Sequence, residues 1–304
     1  MTGRTSRTDR ADLAADPNPT APVEPNPAAR ADPNPTPDAE PSPTSGPIDP
    51  AADPAAAAAL SELLLALADD DLVIGFSDSE WTGIAPILEE DVAMSSLAQD
   101  EIGHARAIYE LLAALVGGDA DRLAYDRPPE AYRHARLLDH ARGDWAMAIA
   151  RRYLFDTAKT VRLEALLGSS HRPLAELVAK IRREEVYHLL HVETWLERLA
   201  RTPGEARTRL LAALVVLGPD ASSVLAPLDV EPILRGSGIL SASSASLLNA
   251  WHARVGPTFA RLDLPPLPTT VPDPAQARCE HGEPFRWLWG EFTSVRRLDP
   301  TATW

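Results

Sequence analysis

Gln99-Asp100-Glu101-Ile102-Gly103-His104-Ala105 sets a carboxylate and an imidazole at helical spacing. Glu101 and His104 stand three residues apart inside a segment of helical periodicity. Residues at i and i+3 share one face of a helix, so a carboxylate and an imidazole can reach a common point. The same spacing returns at Glu185 and His188, within Arg183-Glu184-Glu185-Val186-Tyr187-His188-Leu189-Leu190-His191. One Glu-x-x-His is a weak signal. Two of them, each following a helix with an acid at matching depth, form the pattern by which a four-helix bundle holds a pair of iron or manganese ions.

Working outward, four helical segments surround these motifs. The first runs from Ala55 to about Trp81, with Leu60, Leu64, Leu67, Ala68, Asp71, Ile74 and Gly75 on one stripe, so that Asp71 interrupts an apolar face. Gly83 to Pro86 reads as the turn, with Pro86 suited to the first position of the next helix. That helix reaches about Val116, is closed by Gly117-Gly118, and points Met94, Leu97, Ala98, Glu101, His104, Ala105, Ile108 and Leu111 inward. Residues 119–135, with Pro128 and Pro129, read as a crossover connection. The third helix spans roughly Leu137–Leu167, its stripe being Trp145, Ile149, Tyr153, Asp156, Thr160 and Leu163. After a turn at Gly168–Pro173 the fourth continues to about Ala200 and carries Val178, Ile181, Glu185, His188, Val192 and Trp195 inward. Shorter helices are expected at Glu205–Leu217, Ser243–Val255 and Pro284–Arg297. Period-2 alternation and hairpin signals are absent, so the fold class is all-α, a ferritin-like four-helix bundle with additional C-terminal helices.

The acids agree with this scheme. Asp156 and Glu185 are equally distant from the centre of the Gly168–Pro173 turn. Asp71 and Glu101 miss that condition for the Gly83–Pro86 turn by about two residues, a few ångströms at ~1.5 Å per residue. Each hairpin therefore presents two carboxylates and one histidine at one level. Four carboxylates and two histidines would approximately neutralise two divalent cations with a bridging hydroxide. A buried carboxylate on an apolar stripe must be paired or metal-bound, so the other reading of Asp71, Glu101, His104, Asp156, Glu185 and His188 is a metal-free polar network. Asp70 competes with Asp71 as the first ligand, because the register within Asp69-Asp70-Asp71 is ambiguous. Glu90 lies too far along its helix to join the set and reads as a solvated or salt-bridged end residue. Glu184 and His191 read as supporting or surface groups, and Trp145, Tyr153 and Trp195 as core packing.

Composition sets the outer limits. Of the 29 prolines, 13 fall within residues 1–54, where Asp16-Pro17-Asn18-Pro19-Thr20 recurs as Asp32-Pro33-Asn34-Pro35-Thr36. Such a segment has little to bury, and a disordered Pro-rich tail is expected over 1–54, followed by one helical domain over 55–304 (core bundle 55–201, C-terminal helices 202–304). It lacks the apolar core of an export signal. A single cysteine, Cys279, excludes internal disulfides and multi-thiolate metal sites, leaving Asp, Glu and His for any metal. The formal charge of −15 argues against nucleic acid or an anionic membrane as the main partner. Leu60–Ala68 and Leu210–Leu217 are too short to span a bilayer, and a cytoplasmic location is expected.

With these motifs placed, residues from about 57 to the end resemble a ferritin-like subunit of the bacterial multicomponent phenylacetyl-CoA epoxidase of phenylacetate degradation. The likeness rests on Ser79-Glu80-Trp81, Ala85-Pro86-Ile87-Leu88-Glu89-Glu90-Asp91, Arg152-Tyr153-Leu154-Phe155-Asp156, Glu184-Glu185-Val186-Tyr187-His188, Trp195-Leu196-Glu197-Arg198-Leu199 and the closing Gly290-Glu291-Phe292 through Trp304. Together these are more similar to the structural member of the family's ferritin-like pair than to the catalytic one. The resemblance implies that the two ferritin-like subunits pair, and that the catalytic one carries the di-iron site, whereas the structural one has typically lost ligands in the first motif. Here Asp100-Glu101-Ile102-Gly103-His104 is intact. Carried over residue by residue, the catalytic subunit's ligand pattern falls on Asp71, Glu101, His104, Asp156, Glu185 and His188, with Asp71 where that subunit has Glu. The resemblance thus implies a subunit of a phenylacetyl-CoA monooxygenase, with di-iron (or manganese) as the cofactor. Its implied partners are a catalytic ferritin-like subunit, a separate reductase and an acyl-CoA substrate; no CoA-binding residues can be matched. The alternatives are a metal-free scaffold that stabilises the catalytic subunit and, more remotely, a ferritin-like iron oxidase or store.

Overall fold

The computed structural model describes residues 46–49, 52–278 and 281–299, and among these no strand occurs. The proline-rich repeats of residues 1–45 lie outside the described residues. The bundle is made by α1 (Pro54–Ser79), α2 (Leu88–Val116), α4 (Trp145–Leu166) and α5 (Arg172–Arg201). The short α3 (Ala120–Tyr125) and 3-10 turns at Pro129–Ala131 and Arg136–Asp139 fill the crossover. Beyond the bundle come α6 (Glu205–Leu217), a 3-10 segment Gly218–Leu225, α7 (Glu231–Gly236), α8 (Ser244–Arg261), α9 (Pro274–Arg278), α10 (Glu283–Phe292) and α11 (Ser294–Leu298).

Helix boundaries follow local chemistry. Asp53 caps α1 by accepting from the Ala56 amide, with Pro54 as the first helical residue. Pro86 does not open α2, as the turn reading expects: residues 81–85 form a turn in which the Trp81 carbonyl accepts from Ile84 and Ala85. The Asp91 carboxylate accepts from the Gly83 and Ala85 amides, which moves the helix start to Leu88. The third bundle helix begins at Trp145 rather than Leu137, because Gly143 takes a positive φ of 69° and Asp144 then caps α4 through the Met147 amide. At the C-terminus, α8 runs on through Pro257 to Arg261, and the expected 284–297 helix is interrupted at Thr293.

The apolar core runs along the bundle axis and on into the C-terminal helices. Leu60, Leu64, Leu72, Ile74, Tyr109, Ile149, Leu154, Ile181, Val192, Leu217 and Trp251 belong to one buried cluster. α1 is buried on most of its circumference, because α2 covers one side and α7 and α10 pack on others. α4 is likewise covered twice, by α5 and by α6, α8 and the 218–225 segment. Trp251 of α8 donates its indole N–H to Thr157 at 2.8 Å, and Tyr153 stacks on Phe259. Gly75 permits close approach of α1 and α2: a Cβ there would lie 2.8 Å from Ile102 Cγ1, 3.1 Å from the Ala98 carbonyl and 3.2 Å from Glu101 Cβ. The stretch Glu205–Leu225 is apolar and long enough to cross a membrane, and it is broken between α6 and the 3-10 segment. Leu210, Leu214, Leu217, Ala221 and Val224 on it are buried in the core, as expected of a core helix.

Before α1, Gly46–Asp49 lie against the start of α5, where the Ile48 amide donates to His171 Nδ1 at 3.0 Å and the Gly46 carbonyl accepts from Arg172.

Candidate metal centre

Each of the three adjacent acids on α1 faces a different cation. Asp69 accepts from Tyr109, Arg127 and, at 2.6 Å, the Arg133 amide. Asp70 accepts from the Ala135 amide at 2.6 Å, from Arg162 at 3.2 Å and from both terminal nitrogens of Arg278 at 3.0 and 2.9 Å. That fork ties α9 back onto the bundle. Asp71 turns toward the motif on α2, where it joins Glu101 and His104. The ambiguity between Asp70 and Asp71 is thereby resolved in favour of Asp71 as the residue facing the motifs.

The structure brings five of the six candidate residues together around Glu101. Asp71, Glu101 and His104 form one group with donor atoms close enough to share an ion; Glu101, Glu185 and His188 form another. Asp156, on α4, belongs to neither group and meets the cluster through Arg152 at 3.2 Å. All are buried: Glu101 and Asp156 are 0 % exposed and His104, the most open, 5 %. Glu184 reaches His104 Nε2 at 2.6 Å, Asp100 reaches His188 Nε2 at 3.2 Å, and Glu90 pairs with His191 at 3.3 Å, so all three rim acids hold histidines from outside.

Two side chains that stripe reading misses stand among these ligands. The Lys159 ammonium lies 2.9 Å from Asp71 Oδ1, 2.5 Å from Glu101 Oε2 and 2.8 Å from Glu185 Oε1, with His104 Nδ1 at 3.4 Å. The Arg152 guanidinium lies 2.9 Å from Glu101 Oε1, 3.2 Å from Asp156 Oδ2 and 3.0 Å from His188 Nδ1, and is also anchored to Asp78 at 3.0 Å. Both cations are on α4. Arg152, Asp156 and Lys159 recur at i, i+4 and i+7, the inward line of that helix. The sequence stripe takes Tyr153, Asp156 and Thr160 instead, one position to the side, because α4 buries a second face against α8.

Charge and protonation follow from this packing. Burial, the largest influence, raises Glu101, yet Lys159 and Arg152 overcome it and hold its carboxyl well below the usual range. Burial lifts Asp71 to about 7 against the pull of Lys159, with Glu101 and Glu185 adding to the rise. Burial likewise lifts Asp156 to about 7, opposed by Arg152 and assisted by Glu185 and Glu101. Burial pulls both histidines down, but Glu101 beside each of them, helped by Asp71 at His104 and Glu185 at His188, leaves their pKa values above the ordinary one. Burial also disfavours the Lys159 charge, and Asp71, Glu101 and Glu185 reverse that, so it stays protonated.

These residues can be tested against a pair of divalent ions. The donor types fit in part: three carboxylates and two imidazoles make up two groups that share Glu101, and Asp156 falls in neither. The space between them does not, because Lys159 and Arg152 already lie at the meeting points of the donors. Four carboxylates against two fixed cations leave a deficit that protons on Asp71, Asp156 and the histidines can make up. Two divalent ions added beside Lys159 and Arg152 would overshoot it. The cavity bordering the cluster, lined by residues including Asp71, Phe155 and Lys159, offers about 10 Å³, room for no more than one water. The donor types are those of a metal centre, and two side-chain cations stand among them.

A third His/Asp group, His134, Asp139 and His281, ties the start of α10 to the crossover. Its imidazoles stack face to face with centroids 3.9 Å apart, and Asp139 accepts from His134 Nε2 at 2.6 Å and His281 Nδ1 at 3.2 Å. Parallel stacked rings cannot both aim lone pairs in-plane at one ion, so this is a structural clasp.

A ferritin-like bundle that levels two Glu-x-x-His motifs, each with a partner acid, defines a class of helical carboxylate-histidine proteins. Within that class the chain belongs to the phenylacetic acid catabolic protein family, which it matches over residues 48–304. It is similar to the C component of the 1,2-phenylacetyl-CoA epoxidase of Escherichia coli (strain K12), with 31% identity over 209 residues that cover 68% of this chain and 84% of that protein.

Proposed function

We propose that this chain is the structural ferritin-like subunit of a phenylacetyl-CoA epoxidase-type complex in phenylacetate catabolism. In this reading its own buried centre is closed by Lys159 and Arg152, and oxygen chemistry belongs to a catalytic ferritin-like partner supplied with electrons by a separate reductase. The observation that carries it is the Lys159 ammonium lodged between Asp71, Glu101 and Glu185. Similarity to the C component of the Escherichia coli epoxidase supports the placement in such a complex.

A scaffold must stiffen and dock. Stiffening is what the network does: Glu101 on α2, Glu185 and His188 on α5 and Arg152 and Lys159 on α4 bind three helices to α1 through Asp71 and Asp78. Breaking such a buried network by removing one partner is strongly destabilising. For docking, the outer face of α2 and α5 carries Leu88, Val92, Tyr187 and Leu190, exposed by 73, 65, 72 and 61 %. Aliphatic and tyrosine side chains left this open on adjacent helices suit a protein interface.

The two donor groups that share Glu101 favour a second reading, a resident di-iron or manganese centre in which Asp71, Glu101, His104, Asp156, Glu185 and His188 would hold the ions. It requires Lys159 and Arg152 to withdraw from positions where each has at least three partners.

Co-expression with a catalytic ferritin-like subunit, followed by size-exclusion chromatography and elemental analysis, tests the proposal. The expected outcome is a stable complex whose iron resides in the partner, with this chain alone free of iron and manganese after iron supplementation. Tyr187→Asp with Leu190→Asp should separate the two subunits and leave this one folded. About two irons bound to the isolated wild-type chain, the count for a bundle with this donor set, would establish the second reading instead.

A further inference from the structure

The two protein cations in the centre are not equivalent. Lys159 reaches its position on a flexible stem, and its ion pairs are with the donor set, Asp71, Glu101 and Glu185, with His104 and the Phe155 ring beside it. Arg152 is held in addition by Asp78, which is outside that set and itself 0 % exposed. An ammonium is a compact point charge that an ion can replace, whereas a guanidinium forked between several carboxylates is fixed by its shape. The pocket around Lys159 also has unspent donor capacity. Glu185 is 3 % exposed, and neither of its carboxylate oxygens has a well-directed hydrogen bond, although Lys159 stands 2.8 Å from Oε1. The ammonium satisfies that group by charge alone.

We infer that Lys159 plugs a divalent-cation site formed by Asp71, Glu101, His104 and Glu185, and that loss of its ammonium alone opens the site to one transition-metal ion. Three carboxylate oxygens and one imidazole nitrogen from α1, α2 and α5 surround the position. Their 2.5–3.4 Å distances to the ammonium would contract to about 2.0–2.2 Å around an ion such as zinc. Glu184 Oε2, 2.6 Å from His104 Nε2, fixes that imidazole from behind and directs Nδ1 inward, the arrangement metal-binding histidines adopt. Arg152 stays in place and keeps the second position closed, so the site is mononuclear. The inference rests on the closed wild-type centre argued under the proposed function.

The test uses the full chain, stripped with a chelator and titrated with Co(II), which reports nitrogen and oxygen coordination in the visible spectrum. Lys159→Ala and, as an apolar substitution of similar length, Lys159→Met should each bind about one Co(II) per chain and melt at a higher temperature with the ion than without it. Wild type and Lys159→Arg should bind none and show no shift. Adding His104→Ala to Lys159→Ala should weaken binding at least about tenfold. Folded Lys159→Ala and Lys159→Met that take up no Co(II) would overturn the inference and leave the proposed function standing. Co(II) in the same pocket of wild type, lost with His104→Ala, would instead overturn the closed-centre reading. Two ions in Lys159→Ala would refute the role given to Arg152. Should neither variant fold even when refolded with Co(II), the inference also fails, because the ion was to take the place of the ammonium.

Discussion

Replacing Glu101 by Leu separates a metal ligand from a structural counter-ion. Leu is similar in volume, so the cavity term is small, and the change removes only charge and hydrogen bonding. Glu101 is fully buried and accepts from Arg152 at 2.9 Å and from Lys159 at 2.5 Å. Removing one partner of a buried pair costs ~3–5 kcal/mol, because the other is left charged and uncompensated. Arg152 would keep Asp78 at 3.0 Å and Asp156 at 3.2 Å; Lys159 would keep Asp71 at 2.9 Å and Glu185 at 2.8 Å. The expected loss therefore falls near the lower bound, ~3 kcal/mol, or about 6–12 °C in melting temperature for a domain of this size. Chemical denaturation of chelator-treated protein followed by far-UV circular dichroism measures it. Glu101→Gln, which retains a carbonyl acceptor, should cost less. In the double variant Glu101→Leu/Lys159→Met one of the stranded cations is gone, and the pair should show a coupling of ~0.5–3 kcal/mol toward recovery. Were the four carboxylates an empty metal site instead, they would repel one another, and Leu would leave stability unchanged or raise it by ~1–3 kcal/mol. That result would refute the reasoning.

Gly75→Ala should cost ~1–3 kcal/mol by overpacking, less the ~0.5–1 kcal/mol gained in helix propensity, since its Cβ would meet Ile102, the Ala98 carbonyl and Glu101; equilibrium denaturation decides. Deleting residues 1–45 should leave melting unchanged, whereas deletion through 49 should lower it, because Ile48 and Gly46 bond to His171 and Arg172. The pH dependence of the clasp has a definite sign. Burial, the main cause, lowers His134 from 6.5, so the folded state refuses a proton that the unfolded state accepts, and its stability contribution is present above 6.5 and lost as pH falls through the depressed folded value. His134→Phe removes this dependence. The stability difference between variant and wild type should thus move in the variant's favour by up to ~1.4 kcal/mol per pH unit below 6.5; denaturation at several pH values, showing no such trend, would reject the assignment.

The fold was legible because its signals are local and repeated. Four long apolar stripes, proline and glycine at the turns and the absence of alternation point to a helical bundle, and the matched heights of Asp71 with Glu101 and of Asp156 with Glu185 point to its pairing. The misplaced boundaries have specific causes. Asp91 reaches back to two loop amides and delays α2, and Gly143 with Asp144 restarts the third bundle helix at Trp145. The long-range fork from Arg278 to Asp70 has no local signature, since 208 residues separate the partners.

The centre shows why a ligand pattern alone could not settle its own occupancy. Carboxylates and imidazoles on apolar stripes demand positive charge, and that demand is identical whether the charge comes from iron or from side chains. The clustering of Asp71, Glu101, His104, Glu185 and His188 was therefore legible, and the cations standing among them were not. The deciding residues were on view as Arg152 and Lys159, four before and three after Asp156, but α4 is amphipathic toward two partners at once. Trp251 and Phe259 of α8 claim Thr157 and Tyr153, which makes the 153–156–160 line as plausible a core stripe as 152–156–159. A basic residue at i−4 or i+3 from a buried acid on a third bundle helix is the discriminating feature. Where such residues are long and cationic, they bring the counter-charge with them, and in the proposed scaffold role the acids they meet tie the helices together.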